Sequence, residues 1–282
     1  MYIAIALWFI ISRLIVFALG IRFDDSGLGR LWQLADLTLL KDRLGETLFY
    51  LHSQPPLFNA YVGLCLKFAE SFTHYIFHFM HLLMGLLSAL IIISLLRKFK
   101  TPPLLALIIT AIYFVTPPVI LYENWMFYSY PAAFMLLVSA HLFYRFIETG
   151  DKNTGRLFFL TLAIVALTRS MFHLAWIIFI IAGITFLKPE FRRQVLVSSA
   201  IPFILVFFWY MKNEVEFSEF SASSWFGLSL AKMTAARLPE PLKDRLINEG
   251  KISPLARNYP FSNPDVYSRY LDVPYTGIPV LD

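Results

Sequence analysis

The stretch Tyr50-Leu-His-Ser-Gln-Pro-Pro-Leu-Phe58, running on as Asn-Ala-Tyr-Val-Gly-Leu-Cys-Leu-Lys67, decides how the chain is threaded. Pro55-Pro56 opens a helix well, because a proline there lacks an N–H that would go unused. The apolar run that follows, Leu57 to Leu66, has only ten residues. As a helix it rises about 15 Å, half of a hydrocarbon core roughly 30 Å thick. It therefore reads as a re-entrant or interfacial helix. Around it lie longer runs. Residues 71–96, 101–122, 124–144, 170–187 and 194–211 are free of charge; 1–21 is interrupted only by Arg13, and 157–168 extends past Arg169 through Thr168, Ser170 and Met171. That makes seven candidate spans.

With seven crossings and a cytoplasmic N-terminus, Arg97, Lys98, Lys100, Arg145, Lys152, Arg156, Lys188, Arg192 and Arg193 all fall inside, as the positive-inside rule asks. The loop 22–70, the turn at Glu123 and the tail then lie outside. An eight-crossing rival with the N-terminus outside brings Arg22, Arg30, Lys41 and Arg43 inside as well, but puts Asp24 and Glu123 on opposite faces. Segment length favours seven.

The composition agrees with a membrane chain. Of 282 residues, 58% are hydrophobic and 15% charged, and the mean hydropathy is +0.63; a soluble domain has about 25% charged residues. The last 72 residues hold eight of the 24 Lys/Arg and nine of the 19 Asp/Glu, an ordinary soluble density. The fold class is thus an all-α polytopic membrane protein: a transmembrane module over 1–210 and a small outer region over 211–282. The net charge of +5 sits in short loops, with no basic stripe of the nucleic-acid type, so nucleic acid is set aside as a partner. The N-terminal run has no basic n-region and carries Arg13 in its apolar part, so it reads as a retained anchor. The lone Cys65 defines no redox compartment.

From Ser26 to Leu44, apolar residues at Leu28, Leu31, Trp32, Ala35, Leu37, Leu40 and Leu44 keep a helical period, which predicts an amphipathic helix on the membrane surface. The tail predicts a helix over Ser229 to Glu249, broken at Pro239 and Pro241. An extended Pro- and Tyr-rich stretch through Pro254, Pro260, Pro264, Pro274 and Pro279 follows. No internal repeat is visible.

Ionisable groups at membrane depth are costly and mark function by default. Asp24 and Asp25 follow the first span directly. They are either a solvated pair that ends the helix, or a general base or metal ligand at a cavity mouth. Glu123 is either a lone interfacial acid or a second acid that binds an acceptor, a metal or a basic partner. Arg13 is deep enough to need an acid, with Asp25 and Glu123 as candidates. Arg169 and His173, spaced i, i+4, read as one helix face: a snorkelling arginine with a histidine behind it, or a site for a lipid phosphate. His74, His78 and His81 share a face at i, i+4, i+7, either as a polar stripe or as ligands for a metal or haem. His52, ahead of Gln54 and the prolines, points at whatever the helix start faces.

Taken in order, these features resemble the GT-C superfamily of polytopic glycosyltransferases, closest to glycosyltransferase family 39-like enzymes, the protein O-mannosyltransferase and lipid A aminoarabinose transferase group. The residues that carry the likeness are Phe23-Asp-Asp25, Tyr50-Leu-His-Ser-Gln-Pro-Pro-Leu-Phe58, the second outer acid Glu123 and Ala166-Leu-Thr-Arg169, over about residues 1–210. The resemblance implies a GT-C-like bundle and a polyprenyl-phosphate sugar as donor. The acceptor would be a lipid, glycan or protein at the outer face. It implies Asp24 first and Asp25 second as catalytic base or ligand of a divalent metal. His52 and Gln54 would line the cavity, Arg169 with His173 would contact the donor phosphate, and Glu123 and Arg13 would serve substrate binding. Two departures stand out: Asp-Asp replaces the Asp-Glu of protein O-mannosyltransferases, and the chain ends where that group has further spans or a full outer domain.

Two other classes compete. A transporter or flippase of a lipid-linked anion would line a path with Arg13 and Arg169, and a non-catalytic scaffold would use the tail for partners. The tail has no Asn-X-Ser/Thr sequon, which favours a bacterial inner membrane.

Overall fold

In a computed structural model of the chain, residues 1–270 and 275–282 are described, and they form helices and turns with no strand. Helix α1 spans Tyr2–Ala18. The first loop then makes a 310 turn at Leu28–Arg30 and two short helices, α2 (Leu37–Asp42) and α3 (Leu44–Tyr50). Next come α4 (Pro56–Ala69) and α5 (Thr73–Lys98), joined by a 310 turn. After them follow α6 (Pro103–Phe114), α7 (Pro117–Glu123), α8 (Ser129–Thr149), α9 (Lys152–Thr168), α10 (Leu174–Leu187) and α11 (Arg192–Phe217). The tail adds α12 (Trp225–Met233) and α13 (Glu240–Asn248).

Among the described residues, three stretches are long and apolar enough to cross a membrane: Pro56–Lys98, Ser129–Thr149 and Pro189–Phe217. A fourth is the pair α6 and α7, bent by 60°. The other expected spans are shorter: α1 and α9 have 17 residues each and α10 has 14. Length and composition thus give up to four spans where seven are expected. The outward faces are apolar too, with Phe68, Phe179, Phe186 and Phe208 well exposed. A helix apolar all round belongs in lipid or a deep core.

Several expectations are corrected. The single surface helix over 26–44 is not formed. Asn59 of α4 accepts from the Ala35 N–H at 2.8 Å and donates to the Gln33 carbonyl at 3.0 Å, holding 33–35 out of helical form. Asp36 then caps α2 by accepting from the N–H groups of Thr38 and Leu39. Helix α4 is longer than its apolar run: it starts on Pro56 and takes Lys67 into its last turn. It packs on α2 so closely that a Cβ at Gly63 would lie 3.0 Å from the Leu40 carbonyl. Helix α9 extends backwards to Lys152 and stops at Thr168, short of Arg169. Helix α11 runs through position 210 to Phe217. The tail helix is two pieces: α12 stops at Met233, a 310 turn follows at Ala235–Arg237, and Pro239 then opens α13, with Pro241 in its first turn; Pro274 lies outside the described residues.

Three packing layers result. Ile5 and Phe9 of α1 meet Ala89, Ile93, Ala106 and Phe114 of α5 and α6. On the other side α9 lies between α8 and α11, with Phe146, Phe159, Leu162 and Val195 at its interface. Its Thr161 accepts from Ser139 of α8 at 2.8 Å, so its polar face is turned inward. Over one end, Phe23, Leu28 and Leu40 of the first loop pack with Phe58 and Val62 of α4 and with Phe77, Met126 and Tyr128.

Gly85 of α5 is a glycine with no room for a side chain. A Cβ there would fall on Glu123 Oε2, 2.7 Å from Phe9 Cζ and 2.8 Å from the Tyr130 hydroxyl. Gly85→Ala is expected to cost about 1–3 kcal/mol, as overpacking does, and to lower the unfolding midpoint in detergent; an unchanged midpoint would contradict this packing.

Candidate functional site

The deepest polar group comes from the bend between α6 and α7. Pro118 has no N–H to give the Phe114 carbonyl four residues back, so that oxygen is left over. Arg13 Nη1 donates to it at 2.8 Å and to Ser12 Oγ at 2.9 Å. Its Nε and Nη2 donate to Glu123 Oε1 and Oε2 at 2.7 and 2.8 Å, a two-pronged pair. Tyr130 donates to Glu123 Oε2 at 3.0 Å. The two side chains are only 9% and 1% exposed. Arg13 thus pairs with Glu123 and not with Asp25, and Glu123 is not an interfacial acid open to a substrate: its oxygens are taken.

Asp24 sits above this pair. Its N–H donates to the Asn124 carbonyl at 2.7 Å, and the Met126 N–H donates to its carbonyl at 2.9 Å. This parallel bridge fixes the exit of α1 to the α7–α8 turn. The Asp24 side chain is exposed; its Oδ1 accepts from the backbone N–H and the hydroxyl of Ser26 at 3.0 and 2.6 Å. The Ser26 hydroxyl and N–H hold its carboxyl below the usual carboxylate value. Asp25 meets His74 at 3.1 Å. Phe23 packs among all three histidines, stacked on His78 at 5.2 Å and edge-on to His74 and His81. The imidazoles therefore do not converge, and among the described residues no group of three or more His, Cys, Asp or Glu is placed to hold a metal ion. The residues present fit neither a divalent metal nor a haem.

Leu51, His52 and Ser53, just ahead of Gln54, are held by the tail. The Ser224 N–H donates to the His52 carbonyl at 3.0 Å, the Ser224 hydroxyl meets His52 Nδ1 at 2.8 Å, and the Ser223 hydroxyl donates to the Ser53 carbonyl. Lys212 donates to the Leu51 carbonyl at 2.6 Å. The His52 ring lies 4.5 Å from Phe217, and Gln54 is buried in the same turn. Burial, and then the Lys212 charge, push the His52 pKa down; Glu219 opposes them.

Arg169 and His173 are not on one helix face. The polar run Thr168-Arg-Ser170 breaks the α9–α10 hairpin, with the Phe172 N–H donating to the Arg169 carbonyl at 3.1 Å. The Arg169 guanidinium lies 5.2 Å from the Tyr128 ring and, among the described residues, enters no ion pair. His173 precedes α10, its Nδ1 3.4 Å from the Tyr210 hydroxyl. Beside it opens a cavity of about 350 Å³ lined by Leu174, Tyr210, Phe220 and Phe226. Asp24, Asp25, His52, Gln54, Arg169 and His173 thus all lie at one end of the bundle, while Arg13 and Glu123 lock the helices beneath.

Sequence reasoning missed Tyr130, Gly85, Lys212 and the serines of the tail. Only Ser221-Ala-Ser-Ser224, a polar string just after a long apolar helix, carries a local signal. Comparison of the chain with family models, curated proteins and solved structures returns no match.

Two outcomes follow from this geometry. Arg13→Met or Glu123→Gln alone leaves a buried partner stranded and is expected to cost about 3–5 kcal/mol, read as a lower unfolding midpoint in detergent; the pair Arg13→Met/Glu123→Met is expected to recover part of it. The second concerns pH. With its folded pKa below 6.5, His52 is protonated in the undocked loop before the docked one. Docking of the 212–224 segment therefore weakens as pH falls below about 6.5. The protection of the Ser224 amide relative to its intrinsic exchange rate should fall between pH 7 and 5, and His52→Asn, which does not titrate, should abolish that fall.

Proposed function

We propose that this chain is a multi-pass membrane glycosyltransferase that moves a sugar from a polyprenyl-phosphate donor to an acceptor at the end of the bundle that carries Asp24. In this reading α1, α9 and α10 complete a seven-span, GT-C-like module, and that end faces away from the cytoplasm, in a bacterial inner membrane. The observation that carries it is the Asp24 bridge to Asn124 and Met126. It sets an acid on the same turn as Tyr128, over whose ring lies the Arg169 guanidinium, which among the described residues has no carboxylate in an ion pair.

Such a pairing suits transfer from a lipid phosphate. The guanidinium fork matches phosphate oxygens and stabilises the charge that develops as the phosphate leaves C1 of the sugar. The apolar cavity beside His173 suits the isoprenoid chain next to that phosphate. Asp24 and Asp25 form the acidic centre at which the acceptor hydroxyl gives up its proton. Asp24 Oδ2, which makes no hydrogen bond among the described residues, is the oxygen that would face it. The order of sequence features along residues 1–210 supports the same reading. No observation favours a transporter: Arg13, which would line its path, is spent on Glu123.

Asp24→Asn is an isosteric test, since the amide oxygen keeps both Ser26 contacts and loses only the charge. Transfer from a polyprenyl-phosphate sugar is expected to fall by about 100-fold or more with the fold intact, and unchanged turnover would remove the role. Arg169→Ala is expected to weaken donor binding by about tenfold or more, the loss of a charged hydrogen bond; normal donor affinity would take the phosphate away from Arg169.

A further inference from the structure

We propose that His74, held by Asp25, is the group that takes the proton from the acceptor hydroxyl; this rests on the glycosyltransferase reading and names a residue which that reading leaves out. His74 Nδ1 lies 3.1 Å from Asp25 Oδ1. A carboxylate only accepts, so Nδ1 carries the hydrogen, and in the tautomer this selects the lone pair of the ring lies on Nε2. A base oriented by a carboxylate behind it is a recurrent arrangement in proton transfer. The ring is set from two sides, edge-on to Phe23 at 5.6 Å and perpendicular to Tyr75 at 5.5 Å. Asp25 is set in turn by the backbone bridge at Asp24.

The neighbouring histidines lack this combination. His81 is fully buried with Nδ1 on the Phe77 carbonyl, and His78 is stacked on Phe23 and, among the described residues, pairs with no carboxylate. Of these three histidines, among the described residues, His74 alone joins an acid to an accessible ring, 44% of its side chain being exposed. Asp24 is suited to a different task. Its carboxyl is held low by Ser26, which makes it a weak base but a negative charge beside the acceptor hydroxyl. In the step itself, Nε2 takes the hydroxyl proton as the acceptor oxygen bonds to C1. The bond from C1 to the phosphate oxygen breaks, its electron pair leaves with the polyprenyl phosphate, and the imidazolium, stabilised by Asp25, returns the proton to water.

The test uses the full chain in detergent, a panel of undecaprenyl-phosphate hexoses and pentoses as donors, and an alkyl glycoside as acceptor. His74→Ala is expected to lower kcat by about 100-fold or more with donor KM unchanged. Added imidazole should restore at least about a tenth of the lost rate, as replacement of a missing base does. Asp25→Asn should lose less, and imidazole should not restore it. Wild-type turnover in His74→Ala, or a loss that imidazole never relieves, overturns the proposal while leaving the transferase reading standing. A wild-type chain that transfers from no donor in the panel overturns both.

Discussion

The rest of the molecule depends on the ion pair between Arg13 and Glu123, because it fixes α1 in rotation and depth. The other side chains of α1 are almost all apolar, and an apolar helix among apolar helices has little to choose one register over another. Arg13 supplies the choice. Moving two charges out of water costs several kcal/mol for each ion, and the pair is tolerated only when every donor and acceptor is met. Here all three guanidinium nitrogens and both carboxylate oxygens are engaged. The Phe114 carbonyl freed by Pro118 is part of that account. A kink that would otherwise expose a buried acceptor becomes the third anchor of the arginine. Five helices meet there: α1, α5 through the space at Gly85, α6, α7 and α8.

With α1 fixed, its exit is fixed too. Eleven residues after Arg13, Asp24 bridges to Asn124 and Met126, immediately beyond Glu123. The buried pair and the surface bridge therefore act as two rungs between the same two chain segments. Phe23, between them, fills the space against His78 and His81 and belongs to the cluster that seats the first loop on α4. The tail adds a third restraint, since Lys212, Ser223 and Ser224 bind the backbone at 51–53 ahead of α4. A carbonyl-rich turn before Pro55-Pro56 has few donors of its own, and the tail provides them.

What was legible in the sequence follows from what is local. Charge-free runs mark the long helices well, because lipid and a buried core both exclude charge, but they misplace ends. Helix α9 carries Lys152 and Arg156 and keeps helical form, while the apolar run after Arg169 does not extend it; what ended that helix was a hairpin between α9 and α10, a tertiary demand. The surface helix over 26–44 has the right period, yet one buried side chain from another helix, Asn59, captures its middle. Periodicity reports which face is apolar and is silent about a hydrogen bond arriving from 24 residues away. The partner of Arg13 was narrowed to two acids by charge alone; the choice of Glu123 needed Pro118 and Tyr130, neither of which is charged.

The acids of the N-terminal half show how far residue type falls short of role. Asp24, Asp25 and Glu123 are the same functional group, set within a short distance of one another along two linked segments. Glu123 is deep, so its negative charge can exist only beside a cation, and it is committed to structure. Asp24 is exposed and held by Ser26, whose hydrogen bonds favour its charged form. Asp25 lies between these extremes and has a histidine for a partner, the one arrangement of the three in which a proton can be passed on. Depth and partner thus divide the acids into a lock, a fixed charge and an orienting group. The division follows from the register that Arg13 imposes on α1, since one residue of slip would turn Asp24 and Asp25 into each other's places.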